Sequence, residues 1–194
     1  MLSDWRVLVR LPRSLFAGAL AASLCVGACG GGGSKTPVST DDGDKATADD
    51  GKLKVSFHHN LWEDVKERAP RVRFGQVHVY NNLHVARGEY GYSLGVGVQS
   101  RLFSEHNAWE TAPEIATGRL VRLYRGSAFF DRGSLHNGRP VDLLAALRAA
   151  NPNAAIAGDV GWQPVLHGPL DAAADVPARV RAGAGVGKLW TGPD

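Results

Sequence analysis

From Lys52 onward, apolar and polar side chains alternate over short runs. Val55-Ser56-Phe57-His58-His59-Asn60 does so, and Val77-His78-Val79-Tyr80 repeats it. Both runs predict strands with one face buried. Three segments align with one another: FHHNLW, VYNNLH and SEHNAW. Their shared asparagines, Asn60, Asn82 and Asn107, are 22 and 25 residues apart. A fourth strand, Leu120 to Tyr124, follows at a similar interval. A period in the low twenties, with short strands and tight turns, predicts a β-solenoid whose coils stack at about 4.8 Å. Asparagine suits the resulting ladders, because its amide both donates and accepts and it tolerates the left-handed backbone of a sharp corner. Further on, Val141, Leu143, Leu144 and Leu147 mark one face of a helix over 141–150, with Pro140 suited to its start and Asn151-Pro152 to its end. A second short helix is expected over 176–182, stopped by Gly183.

The first fifty residues follow another rule. Arg6, Arg10 and Arg13 precede an uncharged run, Ser14 to Ala28, that is short for a membrane span. This is the pattern of a secretory signal. Its end, Val26-Gly27-Ala28-Cys29, resembles a bacterial lipobox, which implies cleavage before Cys29 and lipidation of its thiol. Ordinary cleavage and a weak anchor are the alternatives. The expected organisation is a signal over 1–28, a Gly/Ser/Thr/Asp-rich tether over 29–51 and a folded domain over 52–194. The net charge of +3 falls to +1 without the signal's three Arg and one Asp, too mild to argue nucleic-acid binding. Both cysteines, Cys25 and Cys29, lie in this leader. The body therefore has no disulfide, no thiolate metal site and no cysteine nucleophile.

One stretch carries more than pattern. Residues 52–83 contain Arg68-Ala69-Pro70-Arg71-Val72-Arg73 after an HHN strand, then Phe74-Gly75-Gln76-Val77-His78 and Asn81-Asn82. With YGYSLGVGVQSRLFSEHNAW (90–109), SLHNGRPVDL and Ala182-Gly183-Ala184-Gly185, this resembles the later coils of the pectate lyases, polysaccharide lyase family 1. The resemblance implies an all-β fold, a right-handed parallel β-helix, with short helices in the C-terminal segment. It implies β-elimination on α-1,4-linked polygalacturonate assisted by calcium. It also implies Arg68 as the base that removes the proton on carbon 5, and Arg73 as the group that binds the substrate carboxylate. A bidentate guanidinium–carboxylate pair suits the second role. The first requires a neutral guanidinium, although arginine is normally charged in proteins. Lys66 and Arg71 would favour that state; Glu63, Asp64 and Glu67 would oppose it.

Without the resemblance, the charge run over 63–73 reads as a solvated turn with surface ion pairs. Adjacent His58 and His59 on a strand would face opposite ways and serve structure. Trp62 and Trp109 occupy equivalent positions and fit a packing ladder better than a sugar platform. Gly95-Val96-Gly97 fits close packing in a coil. No residue can be placed as a calcium ligand, since the acidic residues ahead of Lys52 lie in the tether. The chain therefore reads as the C-terminal half of a β-helix behind a signal, incomplete at its N-terminal end. Such a chain is expected to be marginally stable, prone to self-association and weak in lyase activity. A non-catalytic uronan-binding surface protein and an inactive fragment are the alternatives.

Overall fold

The computed structural model describes residues 51–185 and 188. Cys29, the signal and all but the last residue of the tether lie outside the described residues. Within them the chain winds through coils that each contribute one strand to each of three sheets. The first coil is β1 (Leu53–His58), β2 (Leu61–Glu63) and β3 (Arg71–Val72). The second is β4 (Gly75–Tyr80), β5 (Leu83–Ala86) and β6 (Leu94–Gly97). The third is β7 (Arg101–Glu105), β8 (Ala108–Thr111) and β9 (Val121–Tyr124). A last partial coil adds β10 (Phe129–Arg132) and β11 (Leu135–His136), which turns back antiparallel into β12 (Arg139–Pro140). The first sheet runs β1-β4-β7-β10, the second β2-β5-β8-β11-β12, and the third β3-β6-β9. Every pairing between coils is parallel. The expected parallel β-solenoid is what forms.

Left-handed backbone makes the corners. At the corner between first and second sheets, His59, Asn81, His106 and Gly133 have φ of 54°, 51°, 51° and 68°. Between the third sheet and the next coil, Phe74, Gln99 and Arg125 have φ of 54°, 50° and 63°. The asparagine ladder sits just past the first of these corners. Asn82 Oδ1 accepts from the Asn60 backbone and side-chain amides at 3.1 and 2.9 Å. Asn107 Oδ1 does the same for Asn82, at 2.9 and 3.1 Å. One amide per coil thus satisfies a buried corner.

The fourth strand expected over Leu120–Tyr124 forms as β9, but in the third sheet, and β10 is the fourth strand of the first. There Gly133-Ser134 replaces the asparagine corner. The reading missed it because the amide that marks the period is gone.

Inward side chains form the core. Val77, Leu102 and Phe129 stack from the first sheet, and Leu94, Val96 and Val121 from the third. From the second, Trp62, His84 and Trp109 form a continuous stack, with ring centroids 6.2 and 4.7 Å apart and planes within 8°. Trp109 is fully buried and donates from Nε1 to Ser93 Oγ at 2.9 Å, so this ladder serves packing. The edge strand β1 leaves Leu53 and Val55 exposed at 43% and 42%.

Helix α1 (Leu143–Ala150) packs on β9 and β10. Asp142, not Pro140, sets its start: its carboxylate accepts from Ala145 N at 2.8 Å. Helix α2 (Val176–Gly183) runs one residue past the expected stop and buries Val176 and Val180 against Leu83, Val85 and Ala108 of the second sheet. The segment before it crosses the outer face of the first sheet. Asp171 anchors it, accepting at Oδ2 from His59 Nε2 (2.9 Å) and exchanging two bonds with the Asn81 amide (2.9 and 3.0 Å).

Candidate functional site

The residues of the R-x-P-x-x-R run fall on the third sheet and the loop that enters it. Arg71 and Val72 are β3 itself, and their pleat divides them: Val72 is buried in the core and Arg71 points out. Arg73, the next residue, is exposed on the same side as Arg71. Arg68 ends the loop ahead of β3 in left-handed backbone, φ 67°, with 61% of its side chain exposed. The structure therefore puts Arg71 and Arg73 on one outer face, with Arg68 in the loop that enters it.

That face is flat because β6, beside β3, carries glycine where its side chains would point outward. Arg71 pairs with Gly95 and Val72 with Val96. A Cβ on Gly95 would stand 2.8 Å from Arg71 Cγ and 3.0 Å from Tyr92 Cε2. The two arginine stems lie across the glycines, so Gly95-Val96-Gly97 is a close-packing element whose product is the arginine face. Sequence reasoning found the packing and not its use.

Two further residues join the face from β9. Gly95 pairs with Arg122, and Gly97 with Tyr124. The Arg71 guanidinium carbon stands 4.0 Å from the centroid of the Tyr124 ring, and that of Arg122 stands 5.4 Å away. Tyr92 packs at 5.2 Å from Tyr124 and is fully buried, with no well-formed hydrogen bond to its hydroxyl. Burial pushes its hydroxyl up from the ordinary tyrosine range, with Tyr124 adding to the shift and nearby Arg68 opposing it. No sequence signal singled out Tyr92, Arg122 or Tyr124, because only coil stacking brings them beside the motif.

The acidic residues around the motif are already committed. Glu67 Oε1 lies 3.5 Å from Arg68 Nε. Glu63 accepts from Arg87 Nη1 at 2.7 Å, and Asp64 bonds the Arg87 amide at 2.8 Å. Lys66 pairs with Glu89. That exposed pairing offsets the charge of Lys66 beside the loop. Calcium calls for several oxygen ligands around one point. Among the described residues, no three His, Cys, Asp or Glu side chains converge on such a point. The described residues do not fit a calcium ion, and the chemistry of this face is that of its arginines.

The two adjacent histidines correct another expectation. His58 closes β1, but the left-handed backbone at His59 breaks the strand alternation and swings both rings to one side. Their Nδ1 atoms are 3.0 Å apart and the rings meet edge-on, centroids 5.3 Å apart. Nearby, His78 Nε2 donates to the buried Glu105 at 2.8 Å, and Glu105 also accepts from Arg132 Nε at 2.6 Å. Burial holds His59 and His78 below the ordinary histidine range, against the pull of their carboxylate partners. These groups hold the C-terminal segment on the first sheet, away from the arginine face.

Comparison with known proteins gives this face a context. A family profile described as pectate lyase matches residues 32–165. A pectate lyase of Bacillus subtilis (strain 168) is 38% identical over 152 residues, covering 75% of this chain and 34% of the relative. Pectate lyase E of Dickeya chrysanthemi is 40% identical over 121 residues, covering 56% of this chain and 30% of the relative. Among solved structures, a pectate lyase bound to a hexasaccharide superposes with a TM-score of 0.68 at 38% identity, covering 75% of this chain and 36% of the other. A thermostable pectate lyase reaches a TM-score of 0.71 at 32% identity, covering 76% and 38%. The chain thus spans about a third of the length of the relatives it matches. With the profile covering most of the sequence and the coils superposing on these β-helices, the chain belongs to the pectate lyase family.

Proposed function

We propose that this protein is a polysaccharide lyase that cleaves α-1,4-polygalacturonate by β-elimination on the outer face of its third sheet. The observation that carries this reading is that Arg71 and Arg73 lie across the glycines of β6, with Arg68 in the loop that enters β3. A polymer with one carboxylate per sugar meets there a flat cationic surface with room for its backbone.

In the reaction, a base takes the proton from carbon 5 of a uronate. The electron pair forms the double bond between carbons 4 and 5, and the bond from carbon 4 to the glycosidic oxygen breaks. That oxygen leaves and takes up a proton from solvent water, and the base gives the carbon 5 proton back to solvent, so no water is consumed overall. Charge develops next to the uronate carboxylate, so fixed cations aimed at it lower the barrier. Arg73, exposed and lying across Gly97, binds the carboxylate in a bidentate pair. Arg68, in the loop beside it, is the residue to which the family motif assigns removal of that proton. Pectate lyases are generally calcium-dependent, so the assay is run both with added calcium and with a chelator.

The test is the ultraviolet absorbance of the 4,5-unsaturated product when the purified chain is mixed with polygalacturonate. A steady rise that Arg68→Ala abolishes is expected. No rise from a folded protein, or a rise unchanged in Arg68→Ala, would overturn the reading. Binding without product would leave a non-catalytic uronan-binding protein.

The chain is also exported and anchored on the bacterial surface through lipidated Cys29, a reading supported by the basic start, the apolar run and the position of the cysteine. Labelled palmitate should enter the wild-type protein and not Cys29→Ser. Failure of the wild type to take up label would contradict anchoring.

A further inference from the structure

The third sheet carries a second cationic centre that the motif does not supply. Arg71, Gly95 and Arg122 form one row across β3, β6 and β9. Strand spacing puts the two arginine Cα atoms roughly 10 Å apart. Between them Gly95 offers no side chain, and a Cβ there would collide with the Arg71 stem. Both guanidinium groups close this gap by turning to the same ring, Tyr124, at 4.0 and 5.4 Å from its centroid.

Such a convergence is electrostatically incomplete. Two like charges share one aromatic ring, at 4.0 and 5.4 Å from its centroid. Among the described residues, neither Arg71 nor Arg122 has a carboxylate partner. Arg71 Nε is buried without a hydrogen bond. A buried guanidinium donor left unpaired, beside two cations sharing one ring, forms a receptor for an anion with more than one acceptor oxygen.

We infer that Arg71 and Arg122, converging over Gly95 on the ring of Tyr124, form a second carboxylate-binding subsite that takes a uronate of the same polymer, separate from the one held by Arg73. This rests on the function proposed above and extends it. Arg71 and Arg73 are two residues apart on one extended run, so their sites lie side by side along the face. A polyuronate can engage both at once, and the second contact adds to affinity through its high local concentration. Arg122 is a binding residue here: it grips a sugar that is not being cleaved.

The test is titration calorimetry of the purified chain with polygalacturonate oligomers and with fully methyl-esterified oligomers. Arg122 is exposed on the sheet surface, so Arg122→Gln should fold, and circular dichroism checks that it does. Arg139→Gln, on β12 at the edge of the second sheet, removes the same charge elsewhere. Arg122→Gln should weaken binding of the free-acid oligomer roughly tenfold, in line with the loss of a charge-assisted bidentate pair. It should leave the esterified oligomer unaffected. Arg139→Gln should change neither by more than about twofold, as expected of a remote exposed charge. In turnover, Arg122→Gln should raise KM with kcat retained. Equal affinity of Arg122→Gln and wild type, or equal losses in Arg122→Gln and Arg139→Gln, would overturn the subsite. If Arg73→Ala weakens binding while Arg122→Gln does not, the subsite fails and the proposed function stands. If the wild type binds no free-acid oligomer, both fail.

Discussion

Gly97 lies directly beneath Arg73: a methyl group built on Gly97 would stand 2.7 Å from Arg73 Cγ and 2.3 Å from the Val72 carbonyl oxygen. The first contact could be relieved by a rotamer change. The second is with backbone and cannot be relieved without moving β3 away from β6. Gly97→Ala should therefore cost about 1–3 kcal/mol of stability and displace Arg73 from the face. Gly88→Ala, where the added methyl meets nothing within 4 Å, should do neither. Denaturant midpoints and polygalacturonate affinity of the two variants check this.

The asparagine ladder makes an unequal prediction for equivalent residues. Asn82 bonds to both neighbouring rungs, accepting from Asn60 and donating to Asn107, and its amide also reaches the Phe57 carbonyl at 2.9 Å. Asn82→Ala should cost roughly 2–4 kcal/mol, since it leaves several buried groups unpaired. Asn60 has a rung on one side among the described residues and is only half-buried. Asn60→Ala should cost about half as much or less. Urea unfolding of the two variants measures the difference.

How far the sequence revealed this architecture depended on what marks each element. The first sheet was legible, because Val55-Ser56-Phe57 and Val77-His78-Val79 alternate over enough residues to show a period of two. The third sheet was not: β3 is Arg71–Val72 alone, and two residues carry no periodicity. Leu120–Tyr124 reads as a fourth strand at a similar interval, and it forms one in the third sheet, whereas the rung after Asn107 hides behind Gly133-Ser134. His58 and His59 were placed on opposite faces by strand geometry that holds only until the left-handed corner at His59. At the site, Arg68 and Arg73 come from the resemblance to one family motif, since their charge run alone reads as a solvated turn. Arg122 and Tyr124 were not, since they reach Arg71 only through the stacking of three coils.

His84 predicts acid sensitivity. Its ring is stacked between Trp62 and Trp109 with neither nitrogen hydrogen-bonded, and burial pushes its pKa down to about 3. The unfolded chain takes up this proton near pH 6.5, whereas the folded chain does not until about pH 3. Stability is therefore complete above pH 6.5 and falls as pH drops, by up to about 1.4 kcal/mol per pH unit from this group. The lowered values of His59 and His78 act in the same direction. His84→Phe should keep the stack and flatten the slope between pH 6 and 4. Urea unfolding across that range measures it.

Asp131 works in the opposite sense. It accepts from the Ser104 and Ser134 hydroxyls at 2.6 and 2.7 Å. Burial pushes its carboxyl up to about 7, partly offset by those two bonds. The folded chain keeps a proton that the unfolded chain loses near pH 3.8. Stability from this group is complete below that pH and declines as pH rises to 7. Asp131→Asn, which is neutral at every pH, should gain about 1–2 kcal/mol at pH 8, less than the full shift implies because the residue is partly exposed. Near pH 4 it should gain almost nothing. Thermal unfolding at the two pH values decides the matter.

The central claim is that the arginine face of the third sheet performs elimination, not hydrolysis or mere binding. Mass spectrometry of polygalacturonate after incubation with the purified chain tests it most directly. Elimination leaves one new end unsaturated between carbons 4 and 5, without the elements of water that hydrolysis adds. The account predicts oligomers with that unsaturated end from the wild type, and none from Arg68→Ala or Arg73→Ala. Saturated oligomers, or a polymer left intact by folded wild-type protein, would contradict it.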